Sequence, residues 1–108
     1  MQNFLLVESR DNFDRRDGDF CGVLARALAG AGHSVTVLLV QNGVLPARAS
    51  ARDPGLASLV GAGVTVLADA FSLSERAIAE HRLADGVRTA GLEVVVDRMI
   101  DGWKVLWH

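Results

Sequence analysis

The sequence predicts an α/β fold: a three-layer α/β/α sandwich around a mainly parallel sheet of four to five strands. Two observations support this. Short, continuously apolar runs, typical of strands covered on both faces, alternate with segments whose apolar residues recur at helical spacing. The connections between them are short, and such alternation produces parallel strands with right-handed crossovers. The chain has 108 residues, so we expect a single domain over residues 1–108.

The first half of the chain predicts two strands and two helices. Glycines end the first helix, and Asp53 followed by Pro54 is a strong helix start, with Asp as the N-cap. We expect, in order, a strand at residues 4–7, a helix at about 20–31, a strand at 35–40, a turn at 41–43, and a helix from Asp53 to Gly61 or Gly63.

The second half predicts two further strands and two helices, with a weaker strand signal near Val87. Ser72 and Glu75 fit a capping box, so the third helix is expected to begin at Ser72 and to continue to Asp85 and Gly86. We expect the remaining elements to be a strand at residues 64–68, a helix at 92–100 ended by Gly102, and a strand at 103–107. The last strand carries two tryptophans, which either pack on the preceding helix or mark a sheet edge covered by another subunit.

Composition excludes several classes of protein. Half of the residues are hydrophobic and 22% are charged, which suits a packed core. The net charge is −2 with no basic run, so we expect no nucleic-acid partner. No apolar stretch approaches the roughly 20 residues that span a bilayer, and the start lacks a signal-peptide pattern. A single cysteine, Cys21, forms no metal cluster. We expect a cytoplasmic protein without a membrane partner, metal or cofactor.

The candidate site lies where parallel strands end, because ligands of open α/β sheets bind outside the carboxyl ends of the strands. Asp69 directly follows the third strand and precedes a helix. It either lines a crevice where the helix N-terminus favours an anion, or it only supports the helix cap. The predicted ligand-binding residues are Asp69, Glu8, Arg10, Gln41, Asn42 and Arg48.

Other chemical signals are weak. The charged segment at residues 8–19 is either a lid or partner surface, or a solvated loop. Cys21 is interpreted as a packing residue in the first helix, and His33, His81 and His108 are too scattered to suggest a catalytic group. Neither a GxGxxG nor a P-loop pattern occurs.

Several segments follow one another in a recognisable order over essentially the whole chain: Leu5-Leu6-Val7, the helix end through His33, Asn42-Gly43-Val44, Leu59 to Val66, Ser74 to Ile78, Leu83 to Val87, and the terminal Trp-Lys-Val-Leu-Trp strand. Their order and spacing together resemble the DsrE/DsrF-like sulfur-relay family. The resemblance implies a cytoplasmic subunit of a homo-oligomer or of an assembly with related subunits, with sulfur-carrier proteins among its partners. Catalytic members accept a persulfide on a cysteine after strand 3, and counting from Gly63 places Asp69 there. A carboxylate cannot replace the thiolate nucleophile.

Three hypotheses follow. The first is a non-catalytic or binding subunit related to the sulfur-relay proteins. The second is an enzyme of altered chemistry, or a small-ligand site, in which Asp69 works with Glu8 or Arg10. The third, a phospho-acceptor domain, is disfavoured because paired acids are absent after the first strand and Lys104 begins the last strand instead of ending it.

Overall fold

A computed structural model describes residues 1–11 and 20–108 and confirms the predicted fold class. The elements, in chain order, are β1 (Asn3–Glu8), α1 (Phe20–Gly30), β2 (Ser34–Leu39), α2 (Pro54–Gly61), β3 (Thr65–Asp69), α3 (Ala70–Glu75), β4 (Val87–Ala90), α4 (Glu93–Ile100) and β5 (Lys104–Trp107). Short 3-10 helices occupy Gln41–Ala47, Ala49–Ala51 and Glu80–Arg82.

The five strands form one parallel sheet in the order β4-β3-β2-β1-β5. In the central register, Leu6 lies opposite Val37 on one side and opposite Leu106 on the other. β4 and β5 are therefore the edge strands, which places the weakly predicted strand at one edge and the strand with the tryptophans at the other. Because all strands are parallel, their carboxyl ends meet along one edge of the sheet.

Alternate strand residues point to opposite faces of the sheet, and each face has its own core. On the face covered by α1 and α2, Leu6, Val37 and Val66 pack with buried residues of both helices. On the face covered by α4, Leu5 and Leu38 pack with half-buried residues that include Val95 and Trp103. Helices on both faces give the expected three layers.

The predicted extent of the third helix is wrong. α3 begins at Ala70, with Asp69 as its N-cap in place of Ser72, and ends at Glu75 instead of continuing to Asp85 and Gly86. Ala77 has a φ of 54°, in the left-handed region, and the Ile78 N–H donates to the carbonyl of Leu73 at 3.0 Å. This is a Schellman ending, in which a left-handed residue reverses the chain and satisfies the last carbonyls.

The other helices end in the same way, but with glycine at the left-handed position. Gly32, Gly63 and Gly102 have φ values of 92°, 85° and 83°, just beyond α1, α2 and α4. Glycine accepts this conformation without a steric penalty, so the glycines in the sequence predicted these three helix ends. Ala77 gave no such signal for the end of α3. The expected turn at 41–43 is also longer than predicted, because it continues as the 3-10 helix Gln41–Ala47.

No helix within the described part of the chain has the length and apolar character needed to cross a bilayer.

Candidate functional site

Asp69 lies at the carboxyl end of β3, where its carboxylate is almost completely enclosed. Its relative exposure is 3%, and its Oδ2 accepts hydrogen bonds from the Ser72 N–H at 3.0 Å and the Ser72 hydroxyl at 2.7 Å. A buried carboxylate needs such donors, because removal from water is otherwise costly. Asp69 therefore caps α3, which is the second of the two roles that its sequence position suggested.

Ser72 joins Asp69 to the loop after β2. Its hydroxyl oxygen accepts a hydrogen bond from the backbone N–H of Gln41 at 2.8 Å, and Gln41 adopts a left-handed conformation with a φ of 53°. Gln41 therefore contributes its backbone N–H to this hydrogen-bonded group. The hydrogen-bonded chain Asp69–Ser72–Gln41, which we call the Asp69 network, holds the β2 and β3 loops together and leaves Ser72 itself only 4% exposed.

Arg76, at the end of α3, donates hydrogen bonds to the side chain of Asn42. Its Nη2 and Nε donate to the Asn42 Oδ1 at 3.0 and 3.2 Å, and its Nη1 donates to the Ser72 carbonyl at 3.1 Å. Sequence reasoning missed the roles of Ser72 and Arg76. A signal did exist, because the spacing of Asp69 and Ser72 fits an Asp N-cap that binds the N–H three residues later.

Glu8, at the end of β1, pairs with His108, which follows β5. The His108 Nδ1 lies 2.9 and 3.0 Å from the two Glu8 carboxylate oxygens, and the Arg10 backbone N–H donates to Glu8 Oε2 at 3.2 Å. The ring of Phe20 lies 5.0 Å from that of His108, centroid to centroid. The adjacent strands β1 and β5 explain this pairing, which brings together residues 100 positions apart in the sequence.

Cys21 is buried in the core between the sheet and α1, with 6% exposure. It borders a cavity of about 30 Å³ together with Glu8, Arg10 and Gly43. A cavity of that volume holds about one water molecule, which is too small for a substrate. Of the charged segment at 8–19, residues 12–19 lie outside the described residues.

Arg48 takes part in neither group. Its Nε donates to the Leu45 carbonyl at 2.8 Å, and its backbone forms an isolated antiparallel bridge with Leu83. The structure therefore divides the six predicted residues three ways. Asp69, Gln41 and Asn42 meet through Ser72 and Arg76; Glu8 and Arg10 lie together beside His108; and Arg48 stands elsewhere. Within the described residues, no three His, Cys, Asp or Glu side chains form a group that could hold a metal ion.

Comparison with known proteins identifies the fold. No protein-family model and no curated protein matches the sequence. Among solved structures, the ychN protein from E. coli matches with a TM-score of 0.89 and 20% identity, covering 100% of both chains. The protein of unknown function MTH1491 from Methanobacterium thermoautotrophicum matches with a TM-score of 0.87 and 19% identity, also covering 100% of both chains.

A third similar structure is the conserved protein of unknown function BT1422 from Bacteroides thetaiotaomicron. Its TM-score is 0.79 at 16% identity, and the match covers 99% of this chain and 95% of that one. At such identities the likeness concerns the backbone architecture. The chain therefore shares one α/β fold, over its whole length, with conserved bacterial and archaeal proteins.

Proposed function

We propose that this chain is a divergent DsrE/DsrF-like protein: a single cytoplasmic domain that works as a non-catalytic binding subunit. The observation that carries the proposal is the state of Asp69. The residue stands where the resemblance places the family's cysteine, and its carboxylate is buried and hydrogen-bonded to Ser72. A sulfur-accepting residue needs an accessible, polarisable thiolate, whereas Asp69 offers a carboxylate oxygen engaged in capping a helix.

The exposed apolar surface of α4 supports assembly with further subunits. Leu92, just before the helix, and Val96, Met99 and Ile100 within it follow the i, i+4, i+7, i+8 spacing of one helix face, and their exposures run from 50% to 78%. A contiguous exposed apolar stripe of this kind marks an interaction surface. We call it the α4 stripe.

The sequence suggested that the two tryptophans either pack on the preceding helix or mark a sheet edge covered by another subunit. Each alternative fits one of them. Trp103 packs into the core beneath α4, with the guanidinium of Arg98 lying 4.7 Å from its ring centroid. Trp107 on the edge strand β5 remains 61% exposed, beside Leu106 at 47%. An edge strand with exposed large apolar side chains presents unpaired backbone groups to a partner, so β5 supports the same proposal. The partners we propose are copies of this chain or related subunits, with sulfur-carrier proteins as transient partners.

Light scattering on the purified chain tests the assembly. We expect a mass above that of the monomer, and a shift to monomer in Val96→Glu and Met99→Glu, because a carboxylate in a buried interface is strongly destabilising. Ser58→Glu, on the exposed surface of α2, is the matched control and should leave the mass unchanged. A wild-type protein that is monomeric throughout the concentration series would contradict the proposal.

Mass spectrometry after incubation with a persulfide donor tests the absence of sulfur-transfer chemistry. We expect no addition of a sulfur atom to the wild-type chain, because Asp69 cannot accept it and Cys21 is buried in the core. The Cys21→Ser variant is the control for any adduct. A stable gain of one sulfur that disappears in this variant would overturn the non-catalytic assignment.

A further inference from the structure

A cleft of about 430 Å³ lies between the segment that follows β2 and the segment that joins α3 to β4. Its polar wall consists of Arg48, Ser50, His81 and Arg82, and its apolar wall is formed by Ile78 between two alanines. None of the described carboxylates lines it. The volume lies within the range of about 300–1,000 Å³ that is usual for small-molecule sites. We call it the Arg48–Arg82 cleft.

The cationic side chains of this cleft form no ion pairs within the described protein. Over residues 1–11 and 20–108, no carboxylate forms an ion pair with Arg48, His81 or Arg82. The neighbouring acid, Glu80, instead accepts a hydrogen bond from the Thr89 hydroxyl at 3.2 Å. Arg48 also borders a neighbouring pocket that Asp53 and Asp85 line, but the described lining of the Arg48–Arg82 cleft itself contains two guanidinium groups and no carboxylate, in a chain whose formal net charge is −2.

Arg48 is held in place without using the nitrogens that would bind a ligand. Its Nε donates to the Leu45 carbonyl at 2.8 Å, and the bridge between Arg48 and Leu83 fixes its backbone against the opposite wall. The two terminal Nη groups keep their donor capacity. A half-buried, oriented guanidinium loses less conformational freedom on binding than a free surface side chain.

We propose that the Arg48–Arg82 cleft binds a small organic phosphate. Guanidinium groups donate paired hydrogen bonds to phosphate oxygens, and Ser50 and His81 supply further donors. Two permanent positive charges in a wall that no described carboxylate lines favour a dianion over a monoanion, which selects phosphate esters over monocarboxylates. The apolar wall around Ile78 provides contact for the organic part of the ligand. The cleft is lined by neither Asp69 nor Cys21, so this inference is independent of the proposed function.

Titration of the full chain with phenyl phosphate, followed by calorimetry and by amide NMR shifts, tests the proposal. We expect saturable binding, weakened at least about tenfold in Arg82→Gln and in Arg48→Gln, because each removes charge-assisted hydrogen bonds. Arg88→Gln is the matched control: Arg88 is an exposed arginine on β4 that does not line the cleft, and its loss should change the affinity less than twofold.

The outcomes separate clearly. Absence of saturable binding, or equal weakening in Arg88→Gln, would overturn the site, and equal affinity for inorganic phosphate would overturn the assignment to an organic phosphate. Arg48 also contacts Leu45 and Leu83, so its variant can lose stability. The Arg82 side chain is exposed and forms no hydrogen bond or ion pair within the described part of the chain, so its variant decides the test on its own.

Discussion

The Asp69 network and the Arg48–Arg82 cleft use their polar side chains in opposite ways. In the Asp69 network, Asp69 and Ser72 are buried and their hydrogen bonds link two loops of the fold. In the cleft, Arg48, His81 and Arg82 face open space without ion-pair partners among the described residues. The sequence had placed both Asp69 and Arg48 among the candidate ligand-binding residues. Polar groups whose hydrogen bonds are satisfied inside the protein stabilise its fold, whereas oriented groups with unused donors remain available to a ligand.

Asp69→Ala should have the largest effect on folding. The change removes the N-cap of α3 and leaves the Ser72 hydroxyl without its buried acceptor, so we expect a loss of about 3 kcal/mol in the free energy of unfolding. Urea denaturation measures this. Asp69→Asn retains an oxygen acceptor and should lose about 1 kcal/mol. Near-wild-type stability in Asp69→Ala would mean that the network does not hold the loops together.

Gly43→Ala tests the packing of the β2 loop against β1. A Cβ at this position would collide with the backbone carbonyl oxygen of Glu8, which cannot move away as a side chain could. We expect a loss of about 2 kcal/mol, typical of overpacking. Gly61→Ala is the matched control, since a Cβ there meets nothing within 4 Å. If both variants unfold at the same urea concentration, the close approach of Gly43 to the Glu8 carbonyl in β1 is refuted.

Ala77→Gly changes the wall of the cleft and should stabilise the protein. Ala77 has a φ of 54°, and glycine relieves the steric cost of that conformation, although it also gains freedom in the unfolded chain. The net expectation is a gain of about 0.5 kcal/mol in thermal or urea unfolding. Gly63→Ala, at the equivalent position after α2 with a φ of 85°, should have the opposite sign. A loss of stability in Ala77→Gly would argue against the Schellman ending of α3.

Arg82→Gln should have the smallest effect on folding. Arg82 is exposed and forms no ion pair with any other described residue, so the free energy of unfolding is expected to change by less than about 0.5 kcal/mol. The same variant is expected to weaken phosphate binding. A loss of binding without a loss of stability would distinguish Arg82 from Asp69, whose replacement is expected to destabilise the fold. A large loss of stability would place Arg82 among the structural residues.

Local signals in the sequence determined most of the fold. Apolar runs predicted β1, β2, β3 and β5; the central strands are continuously apolar because they are buried on both faces. β4, whose sequence is Val-Arg-Thr-Ala, gave only a weak signal near Val87. Asp53 and Pro54 marked the start of α2, and glycines marked the ends of three helices. These features depend on interactions among residues a few positions apart, which is why pattern and turn chemistry suffice.

The candidate site depended on contacts that no local pattern contains. Gln41 meets Ser72 across 31 positions, Asn42 meets Arg76 across 34, and Glu8 meets His108 across 100. The sequence placed candidate polar residues near the correct edge of the sheet, but the strand order and loop paths decided which of them paired and which, like Arg48, remained separate. Hydrogen bonds form between neighbours in space, and only the folded backbone creates those neighbours.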